Sequence, residues 1–474
     1  MDKFDLIGMV TLIVFALIVI IIFNIIYHNK NKMNSFDWIV KMEEERKKTK
    51  KFETIVIITG FIIMTLIPFG TIKFIQRKSS NPVKKIEVHS EKEYGEKYEF
   101  DDTLDYRMLY HINYKHDNNN FLISPYSMTI ALEMLRDGAK GETSEEIDNL
   151  LQGVEQIKQI NIQNRIATAN GLFIKEKYKN EIQDSYYSLI KNTYGGDILY
   201  DKFESPKIIN DWVTKNTKEM IKDPIDSIDP DFILGIFNAL AIDVEWFHQF
   251  KCDSTTEETF ISGDNEYKVE MMHQEYDYNA KYFETDNSKG VILPYKTYDE
   301  EGNEAEEGTS LEFIGILPNI DLADYIDFHF SDDYVNLDKL AKDVSEETKL
   351  ELSLPRFEYR YTFEDFANAL KAEGINSAFT DEADFSGISK ENDMKVGSAI
   401  HETYIKLGET GTKAAAITGF SLVGNALEPD DYERIEIEFN KPFLYLIRDS
   451  KTKEILFIGG VYKPNIWNGP TCEE

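Results

Sequence analysis

Ser421 is the residue whose setting most invites a chemical reading. It lies in GFSLVG, Gly419–Gly424, and a serine between glycines is how an α/β-hydrolase presents its nucleophile on a strand-to-helix turn. That elbow requires GxSxG, whereas the spacing here is GxSxxG with no strand-turn-helix pattern around it. The eight histidines are scattered singly, and the two cysteines, Cys252 and Cys472, join no Cys/His cluster of zinc spacing. Phosphate loops, dinucleotide fingerprints and HExxH are all absent. No enzyme, metal or cofactor is expected, and the cysteines are expected to be two incidental thiols.

The segment that does stand out carries no reactive group. Gly408–Asp431 reads GETGTKAAAITGFSLVGNALEPDD between two strand-like runs, and loops of this length are uncommon unless functional or disordered. Its first half is unlike a loop. At strand period two, Thr412, Ala414, Ala416, Thr418 and Phe420 share one small, nearly apolar face. Lys413, Ala415, Ile417, Gly419 and Ser421 share the other, which can stay wet. Such a face suits insertion into the middle of an existing sheet.

Around that segment the periodicity alternates between helix and strand. Leu104–Tyr114 is predicted as an amphipathic helix, and Phe121–Pro125 as a short apolar strand. Ser124 can cap a helix that has Pro125 at its first position and ends near Gly138. Thr143 with Glu146 three residues on reads as a capping box opening another helix. Ile208–Ile221 has helical period, and Phe232–Trp246 reads as a buried strand. Leu350–Leu354, Arg434–Phe439, Phe443–Ile447 and Ile455–Tyr462 read as strands, the last two joined by the turn DSKTKE. Helices mainly early and strands mainly late predict an α+β domain over about residues 101–465, with a tail at 466–474.

The first hundred residues differ in kind. Leu6–Tyr27 and about Ile55–Ile75 are apolar runs of the length a membrane-crossing helix needs. They predict a first span within residues 1–27, a basic loop at 28–53, a second span at 54–76 and a polar tether at 77–100. The loop holds eight Lys/Arg, which favours the cytoplasmic side and places the large domain outside the cell. The expected localisation is therefore the cell membrane, multi-pass. Residues 1–85 balance 14 basic against 7 acidic residues, so the remaining 38 and 78 give residues 86–474 a net charge of −40. A surface that acidic repels phosphate backbones, and the same charge argues against heparin-type activation.

Several motifs in one order resemble the serpin family. The hinge Glu409–Thr418 is similar to the serpin hinge, IEFNKPFLYLI (Ile437–Ile447) to its signature segment, and LFIGGVYKP (Leu456–Pro464) to its final strand. FLISPYSMTIALEML, GAKGETSEEI, ANGLF, INDWVTKNT, LSLPRF and ADFSGI precede them in the family's order. The resemblance implies three β-sheets, about nine helices and a reactive loop poised above the main sheet. It implies hinge residues Glu409, Thr410, Gly411, Thr412, Lys413, Ala414, Ala415 and Ala416, and a shutter of Ser124, Ser127, Asn238 and His401 beneath the sheet. It also implies a breach with Trp246, where Arg356 and Glu409 occupy the positions of a common Lys–Glu pair. Asp243 and Val244 replace the usual Lys-Gly, Lys413 the usual Glu, and Ile417 a usual small residue.

By this resemblance a serine or cysteine protease attacks the loop, and the cut loop then inserts as a strand while still bound to it. Seventeen residues from Glu409 give Asn425, hence a reactive bond between Asn425 and Ala426. Counting back from Phe439 gives Asp431 instead, so the bond lies within Leu422–Asp431 with Asn425 favoured. The alternative is a non-inhibitory serpin acting as a surface binding protein. Insertion makes a sharp demand at the first inward position. Thr412→Arg is expected to convert inhibitor into substrate; continued covalent trapping of a protease by that variant would refute the insertion scheme.

Overall fold

The structure is a computed structural model. It describes residues 103–114, 117–151, 160–217, 219, 221–222, 224–228, 232–390, 394–397, 399, 401–412 and 432–464. The two expected spans, the basic loop, the tether, the tail and loop residues 413–431 lie outside these. Among the described residues no helix is long and apolar enough to cross a membrane.

Eight α-helices stand among the described residues, against about nine expected: α1 (Leu104–Asn113), α2 (Pro125–Gly138), α3 (Gly141–Leu151), α4 (Asp184–Asn192), α5 (Lys207–Asn216), α6 (Leu322–Phe328), α7 (Phe330–Leu340) and α8 (Phe366–Ala372). The strands begin with β1 (Phe121–Ile123), β2 (Ile166–Lys175), β3 (Asp197–Asp201), β4 (Leu234–Ile242) and β5 (Val244–Glu245). A run of hairpins follows: β6 (Thr256–Ser262), β7 (Asn265–Tyr276), β8 (Lys281–Glu284), β9 (Ser288–Tyr298) and β10 (Thr309–Pro318). The rest are β11 (Lys342–Asp343), β12 (Thr348–Pro355), β13 (Phe357–Phe363), β14 (His401–Gly408), β15 (Gly411–Thr412), β16 (Glu433–Glu438), β17 (Phe443–Asp449) and β18 (Ile455–Val461).

A seven-stranded sheet in the order β1-β18-β17-β10-β9-β8-β11 forms the centre. Every residue of β17 and β18 is buried, which is why FLYLIRD and ILFIGGV show no alternation. Helix α2 packs against β18 and β4, burying Tyr126, Met128, Ile130 and Met134. Its start follows from the sequence: Ser124 Oγ accepts from Ser127 N at 3.2 Å, and Pro125 occupies a position that needs no N–H. A four-stranded sheet, β16-β12-β7-β6, lies apart.

The expected main sheet is present as two ladders, so four are recorded among the described residues where three were expected. One is β3-β2-β4 and the other β13-β14-β15-β5. Only Asp243 separates β4 from β5, and its N–H donates to Arg165 O at 2.6 Å, continuing the β2 ladder past Ile242. The two ladders are therefore halves of one sheet joined through the β4–β5 line.

Two expectations are corrected. Thr143 does not cap α3, which begins at Gly141; its Oγ1 instead accepts from Asp384 N at 3.0 Å. Glu146 Oε2 accepts from Asn376 N at 2.9 Å, Ser377 N at 2.8 Å and Ser377 Oγ at 2.7 Å. The capping groups thus serve a distant 3-10 turn, Ser377–Phe379, whose N–H groups had no local acceptor. Cys252 is disulfide-bonded rather than an incidental thiol, and the only other cysteine, Cys472, lies outside the described residues. Glu146→Ala removes three acceptor contacts at once and is expected to lower the unfolding free energy by about 1–3 kcal/mol in urea titrations. An unchanged midpoint would show that the turn does not depend on this carboxylate.

Candidate functional site

The loop of interest starts where β14 ends at Gly408. The chain turns through Glu409 and Thr410 and comes back as β15, antiparallel to β14 with Leu407 opposite Thr412 and Gly408 opposite Gly411. On its other side β15 pairs with β5, Gly411 opposite Glu245 and Thr412 opposite Val244. Gly411 has φ +155°, and a Cβ there would stand 2.1 Å from Val244 O. Only glycine lets the backbone come this close to β5.

Trp246 fixes that turn. Its backbone N–H donates to Thr410 O at 3.0 Å, while the indole Nε1 donates to Gly408 O at 2.8 Å. The ring is buried, stacked on Tyr295 at 4.5 Å and edge-on to Phe313 at 5.6 Å. Tyr295 OH lies 2.6 Å from Thr412 Oγ1, so the first inward residue of the loop is buried and bonded. Glu409 is buried as well: its Oε1 is 3.2 Å from Arg356 Nη1 and accepts from Thr255 Oγ1 at 2.9 Å, while its carbonyl accepts from Phe250 N at 2.9 Å. Arg356 also pairs with Glu270, through Nε and Nη2. Burial lowers the Arg356 pKa and the Glu409 charge opposes that shift.

Below Thr412 the two halves of the sheet part. Among the described residues no ladder joins β4 to β14. A cavity of about 10 Å³ lies there, between Leu240, Ala241 and Ile242 on one side and Tyr404, Ile405 and Lys406 on the other. Thr412 closes one end, and Thr217 and Ile221 also line it.

The expected shutter residues fall on both sides of this seam. His401 Nε2 accepts from Ser124 N at 3.0 Å, and Ser124 Oγ from Ser127 N, which gathers three of the four. Asn238 stands with the other half, its Nδ2 donating to Asn170 Oδ1 at 2.5 Å while Asn170 Nδ2 donates to Tyr194 O at 2.8 Å. The Asn238 Oδ1 is buried with no hydrogen-bond partner. A buried acceptor of that kind costs free energy until a donor reaches it. Asn425, Ala426, Lys413, Ala414, Ala415 and Ala416 lie outside the described residues. Sequence reasoning missed Asn170, although it lies in the ANGLF motif, and also Tyr295, Thr255 and Glu270, which no local pattern marks.

The sheet is parted at its centre, and the first residues of the long loop are laid into one end of the gap. Residues 102–464 match the family model described as Serpin (serine protease inhibitor), and the chain belongs to the serpin family. Bovine alpha-1-antiproteinase is 29% identical over 383 residues, covering 76% of this chain and 86% of that protein. A serpin-like protein of Methanosarcina mazei is 30% identical over 376 residues, covering 74% and 83%. The native-state structure of the thermophilic serpin tengpin superposes with a TM-score of 0.64 at 28% identity, over 76% of this chain and 93% of that one. The family description is that of serine protease inhibitors.

His401 gives this site a pH signature. Burial pushes its pKa from 6.5 down to about 3, since the enclosed imidazole resists charging. Between those values the unfolded chain binds the extra proton, so stability falls as pH drops from 6.5 toward 3, by up to about 1.4 kcal/mol per unit. Urea midpoints are expected to decline over that window and to decline less in His401→Gln. Parallel pH curves for the two proteins would contradict the assignment.

Proposed function

We propose that the chain is an irreversible suicide-substrate inhibitor of extracellular serine or cysteine proteases. The observation that carries this reading is the pair Gly411–Thr412, hydrogen-bonded into a sheet on both sides at the mouth of the seam. Running both registers on places Ala414 opposite Ile405 and Ile242, and Thr418 opposite His401 and Asn238. The hydroxyl of Thr418 would then reach the level of the partnerless Asn238 Oδ1. The inward face of that strand, Thr412, Ala414, Ala416 and Thr418, is small enough to enter between β4 and β14.

In this scheme the protease nucleophile attacks the carbonyl carbon of Asn425. The bond to the nitrogen of Ala426 breaks, and Asn425 remains as an ester or thioester on the enzyme. Insertion of residues 413–418 and beyond then carries the attached protease away from the loop's starting position. The inhibitor supplies no catalytic group; its contribution is the free energy of completing the sheet. Asn425 suits an asparagine-preferring cysteine protease, and Leu422 or Leu427 a chymotrypsin- or subtilisin-like enzyme. The name of the bovine relative, an antiproteinase, supports the inhibitory reading. The apolar runs Leu6–Tyr27 and Ile55–Ile75 support a location at the cell membrane with the serpin domain outside, so inhibition would act within about 27 Å of tether.

Incubation with a panel of proteases tests the proposal. The expected result is a complex that survives denaturant, with the loop cut between Leu422 and Asp431. Clean cleavage with no complex and no gain in heat stability would leave the alternative, a surface binding protein.

A further inference from the structure

Trp246, Tyr295 and Arg356 hold residues of the loop, whereas Glu245 holds the strand that the loop lies against. It stands opposite Gly411 on β5. Its Oε1 lies 3.0 Å from Arg165 Nη1, and its Oε2 lies 3.1 Å from Lys296 Nζ and accepts from Gln249 Nε2 at 3.2 Å. The backbone N–H of Glu245 donates to Tyr298 OH at 3.1 Å. Arg165 covers the Tyr298 ring at 4.5 Å and donates from Nε to Gly302 O at 3.3 Å, while Lys296 also meets Glu304 Oε2 at 3.0 Å. Glu245, Lys296 and Arg165 expose 24%, 23% and 26% of their side-chain surfaces, so water screens these pairs less than it would at an open surface. Burial opposes the Lys296 charge, but the bonds to Glu304 and Glu245 outweigh it and raise the pKa.

The partners of Glu245 belong to different parts of the fold. Arg165 stands directly before β2, which pairs with β4 from end to end, so it moves with that half of the parted sheet. Lys296 and Tyr298 lie on β9, in the seven-stranded sheet. Glu245 therefore ties the β4–β5 line to the central sheet, next to the Trp246–Tyr295 bridge. The shape of the seam makes that tie consequential. At the mouth β15 lies between β5 and β14, which places those two strands two spacings apart, roughly 9–10 Å. Farther down, β4 and β14 enclose the cavity of about 10 Å³ between Ile242 and Ile405. A strand continuing from Thr412 has to move β4 away from β14. Asp243 alone separates β4 from β5, so that swing draws Glu245 away from Lys296 and Tyr298, which stay with β9.

We infer that Glu245 is a positioning residue for the receiving strand, and that its junction with Lys296 and Tyr298 is the catch that keeps the uncut loop from entering the seam beyond Thr412. This rests on the insertion reading above and adds to it a barrier placed in named side chains. Removing either charge weakens the uncut state, in which the junction is closed. It leaves unchanged an inserted state, in which the junction is already open. The catch thus acts on when the seam opens, not on how well the domain is packed.

The test follows the uncut full chain during prolonged warming and counts the fraction that has become resistant to urea. Glu245→Gln and Lys296→Met are each expected to reach that form about fivefold faster than the wild type, the scale of one partly screened ion pair. The double variant is expected to convert no faster than the single ones, because both substitutions remove the same contact. Lys296→Arg, which keeps the charge, is expected to convert at the wild-type rate. Plain loss of packing would instead lower the urea midpoint and yield unfolded chain with no resistant form. That outcome, or wild-type rates in both single variants, would overturn the junction alone. A wild-type chain that gains no heat stability even when its loop is cut would overturn the insertion reading, and the junction with it.

Discussion

The facing edges of β4 and β14 impose the constraint on which the rest depends. Each edge presents peptide N–H and C=O groups to a gap where no ladder is recorded among the described residues. Such groups are obligatory hydrogen-bonding partners, and a sheet with a free seam is less stable than the same sheet with a strand in it. A two-residue strand, Gly411–Thr412, lies at the mouth of that gap. The groups around the mouth of the seam hold those residues in place. Trp246 holds the carbonyls of Gly408 and Thr410, Arg356 holds Glu409, and Tyr295 holds Thr412.

That arrangement explains the unusual distribution of polar groups in the interior. Arg356, Glu409, His401 and Asn170 are all buried, at positions where leucine would pack with less cost. Buried ion pairs are weak contributors to stability, but they are specific about geometry. Here the Arg356–Glu409 pair sits at the mouth of the seam. The buried His401 and the partnerless Asn238 oxygen lie on the two sides of the seam.

Much of the architecture was legible in the sequence, in proportion to how local its causes are. The caps and helix of Ser124–Gly138 follow from a serine, a proline and an apolar period, and they fall where the periodicity put them. The hairpins of residues 256–318 escaped because edge and surface strands such as TEETFIS and NEYKVEMMHQEY carry charge on one face and look like loop. The capping box at Thr143 was legible and misread: both side chains cap, but across the fold rather than along the helix. At the site, Thr412 was marked by its strand period, whereas Asn170, Tyr295 and Thr255 act only through contacts that tertiary structure creates.

The central sheet also sets the order in which this protein can be made. Strand β1 pairs with β18, Phe121 opposite Gly460, and β18 in turn separates β1 from β17. The first strand of the domain to emerge from the ribosome therefore has no neighbour in its sheet until almost the last residues of the domain have been synthesised. Pairing at such sequence separation is slow, because loop closure must precede the contacts that reward it. The last step in building the central sheet is therefore also the one that joins the two ends of the domain.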